Sequence, residues 1–230
     1  LEATKLKYNE LLDLASTISK AEKEMDSLTK ELTVCADVLT AERKAQAEKL
    51  AQLITSHIHD LAMPNGVFEV TFTKLDKFTA NGRDGMTFMF SANMGEPVSE
   101  LEKVASGGEL SRIALAIKTV MSSSGDVPTM VFDEIDTGVG GVTAQMMAEK
   151  IASISKIGQV LCITHLPQIA ARGAHHYKVY KEDTDTGTNS HIRPLDHTER
   201  INEIAHMLSG AMLTEAALNN AKALLNNENL

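Results

Sequence analysis

The chain has 230 residues, 43% of them hydrophobic, and a formal charge of −9. That is enough for one large core or for a domain plus an extension, and the negative balance excludes a surface that is basic throughout while leaving room for a local basic stripe. Aromatics make up only 4% and Trp is absent, so the core must be aliphatic and methionine-rich.

Leu11, Leu14, Ile18, Ala21, Met25, Leu28, Leu32, Cys35 and Leu39 step by three and four without a break. This is the a/d seam of a coiled coil, sustained over about four heptads, with charged residues on its flanks. An amphipathic helix lying on a globular core would show a wider apolar face. Past Leu39 the seam weakens at Glu42 and Gln46 and resumes, shifted by one residue, near Leu50, Ile54 and Leu61. Pro64-Asn65-Gly66 ends the helix. Residues 1–63 therefore read as a coiled-coil arm and 64–230 as a separate mixed domain. Leu1 is not Met and the helical pattern begins at once, as in a segment excised from a longer protein.

From Gly66 the period changes to two. Phe68, Val70 and Phe72, then Met86, Phe88 and Phe90, read as an antiparallel hairpin with a long connection through Asn81-Gly82 and Asp84-Gly85. Helix is expected over 109–122, a buried strand over 129–133, helix over 142–155 and a buried strand over 159–164. A short helix follows Pro167. Strands over 176–180 and 190–194 flank a polar loop at 182–189, and two helices, 197–208 and 214–225, close the chain. Apolar strands alternating with helices imply an α/β fold whose mostly parallel sheet is covered on both faces. Cys35 and Cys162 fit no metal-ligand spacing and read as reduced thiols. No apolar run reaches transmembrane length and no signal peptide opens the chain.

Three segments carry chemistry. Thr129–Asp133 is an apolar strand that ends in two acids, Asp133 and Glu134. At the carboxyl end of a parallel strand one carboxylate can support Mg²⁺ and its neighbour can deprotonate a water, the two pointing to opposite faces; such acids also occur at ordinary helix starts. Ser106-Gly107-Gly108-Glu109 reads as a capping box. Its two glycines go beyond what a cap needs and bare a helix N-terminus suited to a polyphosphate. His165 follows the second buried strand. A lone His there is more often structural, but it shares an edge with Asp133 and Glu134, where an imidazole could reach a γ-phosphate. His57, His59, His175, His176, His191, His197 and His206 lack that context. A serine-hydrolase elbow is absent, as is a zinc-ligand set. No Gly is followed by Lys, so the phosphate-cradling loop G-x-x-x-x-G-K-[ST] is missing.

In this order the motifs resemble those of ATP-binding-cassette heads of the structural-maintenance-of-chromosomes (SMC) class, and within it the branch of bacterial DNA double-strand-break repair and recombination ATPases. Ser106–Arg112, preceded by Val104-Ala105, is similar to the signature motif. Val131–Glu134 is similar to Walker B, Ile135–Gly138 to the D-loop and Thr164–Ala170 to the switch-histidine segment. Thr137-Gly138 depart from the usual D-loop, which has a small residue, Leu and a second Asp. The resemblance implies the carboxy-terminal lobe of an ATPase head, with the arm as the returning strand of an antiparallel coiled coil. It implies Mg²⁺ at Asp133, general-base chemistry at Glu134 and γ-phosphate contact at His165. Ser106, Gly107, Gly108 and Glu109 would close on ATP held by an opposite head, and Asp136 would communicate across that dimer. The implied partners are a second head, DNA and an amino-terminal lobe carrying Walker A. The implied setting is the bacterial cytoplasm, on the nucleoid and not on a membrane. Alone, the chain is expected to be inactive. Another SMC-type head, chromosome-organising or nuclease-partnered, and a non-catalytic coiled-coil dimerisation module are the competing readings.

Overall fold

A computed structural model describes residues 2–103, 106–123, 125, 127–184, 187–210 and 212–226. Val104 and Ala105 of the signature approach, and Asp185-Thr186 of the expected loop, lie outside these residues. The chain divides into two compact units, Leu1–Leu50 with Val70–Thr87, and Ala51–Glu69 with Phe88–Leu230.

The first unit is built on α1 (Glu2–His59), one unbroken helix of 58 residues. Its seam residues Leu11, Leu14, Ile18, Met25, Leu28 and Leu32 are each more than half exposed, as in a coiled-coil strand whose mate is not among the described residues. Beyond Leu32 another row turns inward, Thr33, Ala36, Thr40, Arg43, Ala47 and Leu50. It meets the far part of a hairpin formed by β1 (Val67–Thr79) and β2 (Gly82–Ser91). Thr40 Oγ1 and Arg43 Nη1 donate to the two oxygens of Asp84 at 2.7 and 3.1 Å. Arg83 pairs with Asp37, and Lys44 Nζ lies 5.9 Å from the centre of the Phe72 ring. The one-residue shift of the seam is thus a change of helix face, from the coiled-coil row to the row that carries the hairpin.

The expected long hairpin connection is not a loop. β1 and β2 turn at Ala80-Asn81, where Thr79 Oγ1 donates to Gly82 O at 2.8 Å and Gly82 takes a φ of 94°. The polar stretch Gly82–Gly85 stays extended because the arm takes up the side chains of Arg83 and Asp84.

In the second unit the last turns of α1, with the turn after it, bury Ile54, Ile58 and Leu61. His59 Nε2 donates to Gly66 O at 2.9 Å, and Phe68 N donates to Thr55 Oγ1 at 3.1 Å. Lys150 Nζ donates to Asp60 Oδ2 at 2.8 Å and to His57 Nδ1 at 3.2 Å. A two-residue β3 (Ser99–Glu100) joins the antiparallel sheet in the order β1-β2-β3, and a 3-10 turn, Leu101–Lys103, follows. The motifs occupy α2 (Gly107–Ser122), β4 (Thr129–Asp133), α3 (Gly141–Ser155), β5 (Gln159–Ile163) and α4 (Pro167–Ala170). β4 and β5 pair in parallel from Thr129↔Gln159 to Asp133↔Ile163. One face of this pair buries Met130 and Phe132. On the other, Val131, Leu161 and Ile163 are 52%, 51% and 56% exposed, so the described residues do not supply the cover expected there.

β6 (Tyr177–Thr184) and β7 (Gly187–Pro194) form a hairpin through most of the expected polar loop. All of β7 is exposed, so polarity there marks a solvated strand. Thr188 Oγ1 donates to Asp183 Oδ1 at 2.7 Å, and Tyr180 stacks on His191 at 5.3 Å. α5 (His197–Ser209) and α6 (Glu215–Asn226) close the chain around Ala171, Ile204, Ala205, Ala221 and Leu225. No helix among the described residues is long and apolar enough to cross a membrane.

Two predictions follow from these contacts. At Gly66 a Cβ would lie 2.6 Å from Ile58 Cγ2 and 3.2 Å from Met63 O, so Gly66→Ala is expected to cost about 1–3 kcal/mol through overpacking; an unchanged urea midpoint would contradict this. The Thr40 hydroxyl, aided by Arg43, holds the Asp84 carboxyl below its ordinary 3.8. A depressed folded-state pKa contributes stability above the unfolded value that is lost as pH falls through the folded one. Asp84→Asn is therefore expected to lower the melting temperature at pH 7 and to converge on the parent in strong acid; a constant difference at both pH values would show that the charge plays no part.

Candidate functional site

The site is assembled at the carboxyl ends of β4 and β5. Period-two packing leaves Asp133 exposed at the tip of β4. Glu134, also exposed, lies beyond the strand with a φ of 49°, a left-handed conformation that a non-glycine residue adopts only under constraint. A turn, and not strand alternation, therefore separates the two acids. Thr137 N and Oγ1 donate to Glu134 O at 3.2 and 3.0 Å, and the turn leads the chain inward to Ile135 and Asp136.

Asp136 is fully buried. Its Oδ2 accepts the Thr164 hydroxyl and, at 3.2 Å, the His165 backbone N–H. Its Oδ1 accepts no hydrogen bond and lies 3.4 Å from His165 Nδ1. Thr164 Oγ1 also accepts Leu166 N at 3.0 Å. One carboxylate thus joins the segment after β4 to the end of β5. His165 remains 67% exposed at this edge. Register places it two residues beyond Ile163, the partner of Asp133. Asp133, Glu134 and His165 share one edge, as the sequence implies. Burial and the Asp136 charge push the Cys162 thiol up to about 11, which keeps it protonated and unreactive at neutral pH.

Ser106 is the N-cap of α2 in extended conformation, but its side chain makes no capping bond. The expected capping box is therefore not formed. Asp196 and Glu199 show what a formed one looks like: Asp196 Oδ1 accepts Glu199 N at 2.8 Å and Glu199 Oε2 accepts Asp196 N at 3.0 Å. The first N–H groups of α2 are thus left without a side-chain cap from Ser106. The two glycines differ in what surrounds them. A Cβ on Gly107 would meet nothing within 4 Å, whereas one on Gly108 would lie 3.2 Å from Gly138 O. Gly108 therefore serves close packing against the D-loop-like turn, and Gly107 faces open space. Arg112 Nε donates to Gly108 O at 3.1 Å and its Nη1 to Leu61 O at 3.4 Å, linking this helix to the turn that ends α1.

A recess of about 210 Å³ between α2 and β4 is lined by Ser111, Lys118, Phe132, Asp133 and Glu134. It falls below the roughly 300–1,000 Å³ of ligand pockets, so these residues alone do not enclose a nucleotide. Among the described residues no cluster of three His, Cys, Asp or Glu could hold a metal. Asp133 offers a single exposed carboxylate, which suits Mg²⁺, an ion that takes few protein ligands and keeps its waters. Thr164 and Gly138 fall inside motif segments without a role of their own, and Lys118 falls outside them. Thr164 had a signal, a hydroxyl closing an apolar strand; Lys118, far along α2, had none.

No family model matches the chain. It is 39% identical over 222 residues to DNA repair protein RecN of Haemophilus influenzae, covering 96% of the chain and 40% of that protein. The RecN of Deinococcus radiodurans is 45% identical over 202 residues (88% and 35%), and that of Bacillus subtilis 40% identical over 225 residues (91% and 39%). The chain thus spans about two fifths of the length of these relatives. Among solved structures, the Smc head domain of Pyrococcus yayanosii, with a coiled coil and joint, aligns with a TM-score of 0.59 at 20% identity, over 86% of this chain and 36% of that one. A structure from work on ATP-driven dimerisation and DNA-stimulated activation of SMC ATPases aligns with a TM-score of 0.52 at 19% identity, over 76% and 99%. Those likenesses establish the α/β fold of an SMC-type head with its long helix. The identities show that, over about nine tenths of its length, the chain matches the carboxy-terminal part of RecN.

Proposed function

We propose that the chain is one lobe, residues 64–230, and one coiled-coil strand, residues 1–63, of an ATP-hydrolysing head in a DNA double-strand-break repair and recombination protein. The observation that carries this reading is the meeting of Asp133, Glu134 and His165 at one sheet edge, with the buried Asp136 joining its two strand tips. Glu134 accepts the proton of the attacking water. Asp136 beside Nδ1 orients the His165 ring and leaves Nε2 for the γ-phosphate. Asp133 would hold magnesium bound with the nucleotide, and the ion would neutralise phosphate charge there.

The uncapped start of α2, with open space at Gly107, suits phosphate oxygens brought by a second head. Ser106, Gly107, Gly108 and Glu109 act on that opposite nucleotide, and Asp136, through the turn that touches Gly108, relates the two sites. The small recess and the missing phosphate loop support contacts from an amino-terminal lobe, which would also cover the exposed Val131, Leu161 and Ile163. ATP then pairs two heads, hydrolysis parts them, and this cycle drives DNA tethering in the bacterial cytoplasm, on the nucleoid.

In the full-length protein Glu134→Gln is expected to trap ATP-bound paired heads, seen as a doubled sedimenting mass with ATP; the same mass with and without ATP would count against the reading. The 230-residue chain alone is expected to show no ATP turnover, and robust hydrolysis by the pure chain would contradict the assignment of the phosphate loop to another lobe. Ser106→Arg is expected to abolish hydrolysis and leave nucleotide affinity of the intact head largely unaffected. Equal loss of both would place Ser106 in fold stability.

A further inference from the structure

Lys118 belongs to none of the motifs, yet it touches the strand that carries the two acids. Gln159 N donates to Pro128 O at 2.9 Å where the β4–β5 ladder begins. Carbonyls alternate along a strand, so those of Met130 and Phe132 also face β5, and those of Thr129, Val131 and Asp133 face the opposite edge, which is open among the described residues. Lys118 Nζ reaches that edge and donates to Val131 O at 3.0 Å. The same ammonium lies 4.6 Å from the centre of the Phe132 ring, within cation–π range. Two attractions of different kinds thus hold it against the two residues that immediately precede Asp133. Immediately after Asp133 comes Glu134 in its left-handed conformation, which persists only where the surroundings over-determine it.

The geometry points to Lys118 as a positioning residue: it clamps the open edge of β4 to α2 and so sets the Asp133-Glu134 tip relative to the glycine-opened start of that helix. This rests on the ATPase reading above and adds a residue to it. Lys118 is not assigned a catalytic part, since its ammonium is committed to a carbonyl and a ring. Its position, lining the recess with Asp133 and Glu134, makes the clamp local to the site.

The test compares Lys118→Met, which keeps an apolar stem on Phe132 without the ammonium, with Lys118→Arg, which keeps a donor. In the 230-residue chain, amide hydrogen exchange across 130–134 is expected to accelerate about tenfold or more in Lys118→Met, with α3 and β5 unchanged, and to stay within about twofold of the parent in Lys118→Arg. In the full-length ATPase, Lys118→Met is expected to lower kcat about tenfold or more with KM for ATP within about twofold, and Lys118→Arg to retain most of kcat. Unchanged exchange at 130–134 overturns the proposal. Equal acceleration throughout α3 and β5 also overturns it, by making Lys118 a general stability residue. So does a raised KM at parental kcat, which would make the ammonium a phosphate ligand. If Glu134→Gln leaves hydrolysis intact, the ATPase reading fails, and the exchange comparison still decides the clamp.

Discussion

A single buried carboxylate, Asp136, holds the candidate site together. Removing a carboxylate from water costs several kcal/mol even after the protein relaxes. Hydrogen bonds to a charged group return about 1.5–3 kcal/mol each. The Thr164 hydroxyl and the His165 N–H supply two such bonds, and both come from the end of the neighbouring strand. The charge is therefore tolerable only while β5 ends where it does. The remaining oxygen, Oδ1, has His165 Nδ1 as a polar neighbour at 3.4 Å. The cost of burying Asp136 is in this way converted into a fixed relation between two strand tips.

The second constraint is close packing between backbones. Gly108 lies against Gly138, where a Cβ on Gly108 would come within 3.2 Å of Gly138 O, so the start of α2 and the turn after β4 are in contact without a flexible intermediary. Arg112 carries the connection from Gly108 to Leu61, and Lys150 holds α3 to His57 and Asp60. The elements that bear the motifs are thus bonded to the last turn of α1 at two places. Rigid contacts of this kind place reacting groups more reliably than long side chains on loops do.

Much of this was readable in the residues. β4 over Thr129–Asp133 and the short helix after Pro167 follow from apolar runs and punctuation, and the shared edge of Asp133, Glu134 and His165 follows from parallel pairing. The misreadings have a common physical origin. Polar stretches at Gly82–Gly85 and 182–189 read as loops because polarity usually marks them. Here the first is held extended by Asp84 and Arg83 bonding to α1, and the second is a hairpin solvated on the outside. The capping box at Ser106 fails although its residues are right, because a pattern specifies which groups could bond and not whether they do. Lys118 was invisible because its partner, Val131 O, is a backbone atom that no side-chain pattern reports.

On the proposed function, the edge tied by Asp136 and the glycine-opened helix of another copy hold the same triphosphate. The most direct measurement is a crystal structure of the full-length Glu134→Gln protein with a non-hydrolysable ATP analogue. The terminal phosphate should lie within hydrogen-bond reach of His165 in one head and of the Ser106–Gly108 backbone in the other, with Asp136 still buried between the strand tips. A triphosphate bound without His165, or held by residues of a single head alone, would contradict it.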